Sequence, residues 1–204
     1  MATLELTTLA NVKASPLVSL SGSTADAYLT DLVTATSRTI AQWLGWGDMT
    51  NATHTEEYDI PPRWDRLLWT RKAPITSVTS IKSRNSIATA FSGVTALAST
   101  SYAIDTSSEL KPRIVIESGN VYPGPLSLQL IYVAGFAANQ AALESAFPDI
   151  EMAARMQVVY EYNRRNELGA QAMSIAGASE SYTSAVQLEK GVRQRLSAYR
   201  RPIL

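Results

Sequence analysis

Between Ser23 and Leu44 the apolar positions Leu29, Leu32, Val33, Thr36, Ile40, Trp43 and Leu44 recur at three- and four-residue intervals. At about 100° per residue they fill one arc, with Asp31, Thr34, Arg38 and Gln42 opposite, so the segment predicts a one-faced amphipathic helix. Ser23 is placed to cap it, with Asp26 three residues on, and Gly45 or Gly47 can take the left-handed conformation that ends it. From His54 to Val133 the periodicity shortens. Six runs with β character, His54 to Ile60, Leu67 to Thr70, Ile75 to Ile81, Tyr102 to Ile104, Arg113 to Glu117 and Leu126 to Val133, are separated by Pro61-Pro62, Pro74, Gly93, Lys111-Pro112, Gly119-Asn120 and Pro123-Gly124-Pro125. This predicts an antiparallel sheet or small barrel. In its clearest strand, Leu126, Leu128, Leu130 and Tyr132 share one face. Ile75, Val78 and Ile81 are spaced by three, as in a helix, but the Thr and Ser between them favour strand.

Helical spacing returns near Pro148, a residue suited to a first helical position, and predicts a helix to about Asn166. Its broad apolar arc centres on Met152, Ala153, Met156, Val159 and Tyr160 and is widened by Val158 and Tyr162, which calls for neighbours on more than one side. The expectation is that the centre packs on the first helix and that Val158 or Tyr162 sits nearer a neighbouring subunit. Residues 167–181, rich in Ala, Ser and Gly, read as a mobile loop. A last helix from about Ser184 to Tyr199 sets Leu188, Val192, Leu196 and Tyr199 against Lys190, Arg193, Arg200 and Arg201. The fold class expected is α+β: a small bundle of three principal helices with an inserted antiparallel β region. The organisation is residues 1–53, the β insertion 54–133, and 134–204, within one domain of 204 residues.

Composition narrows the chemistry. Hydrophobic residues make up 46% and charged residues 18%, a folded composition. Lys plus Arg and Asp plus Glu each number 18, so no global field draws the chain to nucleic acid or an anionic membrane. Locally, residues 1–150 carry 10 basic and 13 acidic side chains, and residues 151–204 carry 8 and 5. Cysteine is absent, which excludes disulfides, thiolate metal sites and thiol nucleophiles. The longest apolar run, Leu130 to Ala138, is far short of the ~20 residues of a membrane-spanning helix, and no basic leader precedes an apolar stretch at the start. The chain is expected to be soluble and to begin life in a cytoplasm.

A single histidine, His54, rules out a Ser-His-Asp triad and multi-histidine metal sites. His54 and Glu56 share a strand face while Asp59 points away, the arrangement of an ordinary solvated face. No phosphate-cradling glycine motif or nucleophile elbow occurs, and the acid pair Glu56-Glu57 is nonspecific. No catalytic residue, metal or cofactor is assigned. Trp64, beside Pro61-Pro62 and amid arginines, reads as core packing or as an interface anchor. The stretch from Lys190 to Arg201 has five basic residues and no acid, either a solvated helix face or a surface for a polyanion or an acidic partner.

The series YLTDLVTATSRTIAQWLGW, EEYDI, LLWTRKAPITSVTSIK, SYAID, LSLQLIYVAGF and FPDIEMAARMQVVYEYNRRNELGAQ, then SIAGASESYTS before a final helix, resembles the head–tail connector (adaptor, or head-completion) family of long-tailed bacteriophages. The resemblance spans residues 23–200 and rests on the order of these short elements. It implies a virion protein without enzymatic activity, forming a homo-oligomeric ring, typically of twelve subunits, at the head–tail junction beneath the portal. The portal would bind one side and the next head-completion or tail protein the other. The ring would continue the DNA channel, with transient nonspecific contact to packaged DNA and none to membrane, after assembly in the host cytoplasm. The residues expected to face the portal or channel are Lys190, Arg193, Arg200 and Arg201; those expected between subunits are Trp64, Val158 and Tyr162. A monomeric tail-associated adaptor, or an acid-pair hydrolase whose activity dies with Glu56 or Glu57, are the alternatives, and ring formation or its absence separates them.

Overall fold

The structure, a computed structural model, describes residues 4–16, 22–105, 113–164, 172–175, 178–181 and 188–201. In chain order the elements are α1 (Leu9–Lys13), α2 (Asp26–Leu44), β1 (Ala52–Ile60), β2 (Leu67–Trp69), β3 (Ile75–Ser83), β4 (Tyr102–Ile104), β5 (Arg113–Ile116), β6 (Gly124–Ala134), α3 (Gln140–Ala146), α4 (Pro148–Asn163), β7 (Ala172–Ile175), β8 (Ala178–Ser181) and α5 (Lys190–Leu196). They fall into a helical unit, Met1–Met49 with Asn139–Arg201, and a β unit, Thr50–Ala138.

The α+β class is as expected, but the helix inventory is larger than three principal helices: five α-helices are present among the described residues. The two unforeseen ones are short and locally capped. The Thr8 side chain accepts from Asn11 N–H at the start of α1, and Asn139 accepts from Ala142 N–H at the start of α3. Helix α2 begins later than Ser23. Its N-cap is Ala25, whose methyl side chain cannot accept a capping hydrogen bond, and Asp26 in the first turn pairs with Lys13 Nζ at 2.7 Å. Its end is as expected: Gly45 has φ 82°, and the Gly45 and Trp46 N–H groups return to Gln42 and Ala41 carbonyls.

Helix α4 starts at Pro148 and lies in a core with Val12, Leu29 and Val33 of α1 and α2. Its inward face differs from the expected arc. Met152 is 38% exposed and Met156 and Tyr160 are half-buried, whereas Ile150, Glu151, Ala153, Ala154, Gln157, Val158 and Val159 are buried. The reason is polar. Glu151 accepts from Thr7 Oγ1 (2.8 Å) and Asn11 Nδ2 (3.2 Å), and Gln157 accepts from Glu189 N–H (2.9 Å), so two positions that periodicity assigns to solvent turn inward. Helix α5 is shorter than the expected 184–199, with a 3₁₀ turn at Ser197–Tyr199; residues 182–187 lie outside the described residues. Leu188, Val192 and Leu196 are buried, as the apolar side of that segment required. Within 167–181, expected as a mobile loop, β7 and β8 pair antiparallel; residues 167–171 and 176–177 lie outside the described residues.

The β unit holds two antiparallel three-stranded sheets, ordered β1-β6-β3 and β2-β5-β4. Ile60, Leu68, Ile81, Ile114, Ile116, Leu128, Leu130, Tyr132 and Ala134 form one core between them. The helix-like spacing of Ile75, Val78 and Ile81 has a strand explanation. These residues stand opposite Ala134, Tyr132 and Leu130, spaced by two, because register shifts between Ile75 and Ser77 and between Val78 and Ser80 absorb the extra residues. A further shift, between Tyr58 and Ile60, leaves Pro125 to Ser127 without ladder partners on β1, and Leu126 departs from the inward row with φ 44°.

Candidate interaction surfaces

The acidic residues near His54 are consumed by the fold. On β1, Glu56 accepts from the Tyr58 and Tyr132 hydroxyls and from Arg71 N–H at 3.1 Å. Burial, followed by the Glu56 hydrogen bond, pushes both tyrosine hydroxyls well above their ordinary range, so each remains a donor. Glu57, on the opposite face, meets Gln129 Nε2 (3.3 Å) and Arg84 Nη2 (3.7 Å), and Asp59 Oδ1 accepts from Leu126 N–H (2.7 Å). His54 Nε2 lies 3.2 Å from the Ala134 carbonyl. Each carboxylate has a structural partner, and among the described residues no cluster of three metal-ligating side chains exists.

Four of the five basic residues of the C-terminal segment split into two sets, and the fifth, exposed Arg195, lies with Nη1 3.6 Å from Met152 Sδ. Lys190 and Arg193 on α5 are exposed, and neither meets an acid among the described residues. Arg200 and Arg201 instead hold the end of α2: their guanidinium groups lie 5.3 Å from the Trp43 ring centre and 5.8 Å from that of Trp46. Arg201 N–H donates to Leu44 O (2.8 Å) and Trp46 Nε1 to Tyr199 O (2.8 Å). Two cations at a helix C-terminus suit its dipole, so this pair is placed first by intramolecular packing. The stacking was hidden in the sequence because more than 150 residues separate the partners.

Val158 and Tyr162, expected nearer a neighbouring subunit, are 0% and 7% exposed within the helical core of the chain itself. The broad apolar arc is satisfied inside the protomer, by α1 and α2 on one side and α5 on another. Trp64 is half-buried against the β core and donates from Nε1 to Leu67 O at 3.1 Å. One wall of its ring faces a groove of about 450 Å³ lined by Ile60, Pro61, Pro62, Trp64, Tyr122 and Pro123 among others.

Sequence reasoning passed over Arg84. Only 9% exposed, it donates from Nε to Leu126 O (3.0 Å) and from Nη1 to Thr89 O (3.0 Å), and stands 4.1 Å over the Phe91 ring. Its neighbours in the chain, Ser83 and Asn85, carry no hint of burial, so no local signal could have found it.

The model of the head completion protein family matches residues 5–202. No relative among curated proteins matches the sequence. Among solved structures, a chain in the neck of an empty gene transfer agent particle, computed with C6 symmetry, is 16% identical, with 99% of this chain and 97% of that one covered at a TM-score of 0.53. A chain of the native gene transfer agent virion is 17% identical, with coverage of 100% and 97% and a TM-score of 0.53. A chain of the native particle's neck, computed with C12 symmetry, is 16% identical, with coverage of 91% and 94% and a TM-score of 0.53. At these identities the likeness establishes a shared fold.

Proposed function

We propose, from the premise that this chain belongs to the head completion protein family, that it forms a ring at the neck of a phage-like particle, beneath the portal, joining the DNA-filled head to the tail. The protein is structural and non-enzymatic. The observation that carries the reading is the family match over residues 5–202, and the fold likeness to neck chains computed with C6 and C12 symmetry supports a cyclic assembly. The ring, of twelve copies in this reading, continues the DNA channel, with the portal on one side and the next head-completion or tail protein on the other. It assembles in the host cytoplasm. No helix among the described residues is long and apolar enough to cross a membrane.

Lys190 and Arg193, exposed and without an acid partner among the described residues, are the groups left to face the portal or packaged DNA; Arg200 and Arg201 add charge nearby while stacked on Trp43 and Trp46. A channel that lets DNA pass needs phosphate contacts that are weak and indifferent to sequence, which lysine and arginine on a solvated helix supply. Trp64 is the subunit-contact candidate that keeps an open side, through its groove. Val158 and Tyr162 act on assembly only by shaping the protomer.

Negative-stain microscopy of concentrated protein, with and without portal complexes, tests the reading. Rings alone or on portals are expected; particles that stay monomeric under both conditions overturn it. Lys190→Glu with Arg193→Glu should leave the fold intact and lower DNA retention in filled heads, with the largest difference from wild type at low salt. Wild-type retention at all salt concentrations removes the basic face from the proposal.

A further inference from the structure

Arg200 and Arg201 are adjacent in the chain and stack on neighbouring tryptophans, yet the fold holds them unequally. Arg201 is half-buried. Its N–H donates to Leu44 O at 2.8 Å, and its side chain runs over Gly45, where an added Cβ would come within 3.3 Å of Arg201 Cβ. Arg200 is exposed. Its N–H reaches Ser197 O at 3.3 Å, and among the described residues its guanidinium meets only the Trp43 ring, 5.3 Å from the ring centre. A cation resting on an aromatic face at an exposed site is held more weakly than a guanidinium that makes charge-assisted, bidentate hydrogen bonds to a phosphate. A phosphate within reach therefore takes Arg200 from Trp43, whereas the backbone of Arg201 keeps that residue in place.

Lys190, Arg193 and Ser197 follow one another at three- and four-residue spacing along α5 and its 3₁₀ turn, and the Ser197 carbonyl accepts from Arg200 N–H. Lys190, Arg193 and Arg200 thus continue one row, with Arg195 off it, beside Met152 of α4. Along residues 188–201, all of them described, no large apolar side chain is exposed, and no acid lies between Lys190 and Arg201. A protein partner is gripped through apolar or aromatic anchors at the centre of a contact, whereas a DNA backbone is met by solvated cations. We infer that Arg200 is a transferable cation for duplex DNA: it rests on Trp43 in the free protein and moves to a backbone phosphate beside those met by Lys190 and Arg193, while Arg201 stays on Trp46 as the anchor. The inference rests on the basic face proposed above and goes beyond it by choosing DNA over the portal and by giving the contact a moving part.

The test titrates a short duplex of mixed sequence into the full chain over a series of salt concentrations, with tryptophan emission as a second readout. Each phosphate contact adds about 0.9 to the steepness of log K against log salt, so Arg200→Ala should make the slope shallower by about 0.9, as Arg193→Ala does. Arg200→Lys, which keeps the charge, should restore it. Emission should change as DNA binds the wild type, and that change should be lost in Trp43→Phe and in Arg200→Ala. An unaltered slope in Arg200→Ala overturns the phosphate contact. A shallower slope with wild-type emission that does not move on binding means that Arg200 reaches DNA from its place on the ring, and overturns the transfer. Loss of binding to immobilised portal complexes in Arg200→Ala, with its DNA slope intact, makes the portal the partner and overturns the inference equally. Wild-type protein that binds no duplex at any salt concentration overturns the DNA reading of the basic face itself, a failure distinct from that of ring formation, which microscopy reads.

Discussion

The β unit and the helical unit answer to their sequence in opposite ways. In the β unit, polar residues that depart from the alternation are bulges or turns, and the apolar row of β6, Leu128, Leu130 and Tyr132, lies where a two-residue period places it. In the helical unit, α4 carries Glu151 and Gln157 inward and Met152 outward, against its own periodicity. A sheet face buries one row against one core, so polarity and direction agree. A helix with partners on several sides can bury a polar residue wherever a distant partner satisfies it, and local spacing carries no record of that partner.

The largest effect is expected where the β unit's backbone is tightest. Gly135 has φ 135°, and a Cβ there would lie 2.3 Å from the Thr50 carbonyl oxygen. Gly135→Ala should cost about 3–5 kcal/mol, read from the shift in denaturant midpoint, by combining backbone strain with a clash against main chain. A loss below about 1 kcal/mol would show that this junction yields and would weaken the contrast between a strictly determined sheet and a permissive helix.

Gln157→Leu probes the helical side of the contrast directly. If Gln157 faced solvent, leucine would be close to neutral. Because it is 1% exposed and accepts from Glu189 N–H, the substitution should cost about 1–2 kcal/mol by leaving a partly buried donor unpaired. An unchanged thermal midpoint would restore the periodic reading of α4.

A smaller effect should appear at alkaline pH in the β unit. Tyr58 and Tyr132 hold their protons in the folded state above the ordinary tyrosine value of 10.0, so above pH 10 the unfolded chain ionises first. The folded state then binds more protons than the unfolded one, and stability falls as pH rises. Tyr58→Phe should flatten that fall in a urea titration between about pH 9 and 11, and an unaltered slope would dissociate Tyr58 from it.

The smallest effect belongs to Glu161. Burial raises its carboxyl above the ordinary 4.5, with the Gln157 hydrogen bond opposing the rise. Folded protein therefore binds the proton more tightly than unfolded, and stability declines as pH climbs from 4.5 through the raised value. Glu161→Gln should be slightly more stable than wild type at pH 7, with the advantage fading as the pH is lowered toward 4.5. A mutant less stable at pH 7 would mean that the charge itself is used in the fold.

Much of the architecture was already present in local chemistry. The six β runs appear as strands with bounds shifted by no more than two residues, α2 ends at Gly45, and α4 begins at Pro148, because alternation, glycine and proline act on the residues beside them. The order of those elements also carried the family. Tertiary structure decided what chain-distant partners control: the inward turn of Glu151 and Gln157, the clasp of Arg200 and Arg201 on Trp43 and Trp46, and the burial of Arg84. It also decided that Val158 and Tyr162 face their own core while Leu126 faces out. Each of these depends on which groups meet across tens of residues, and a hydrogen bond or ring contact formed at that range leaves no periodic trace in the segment that makes it.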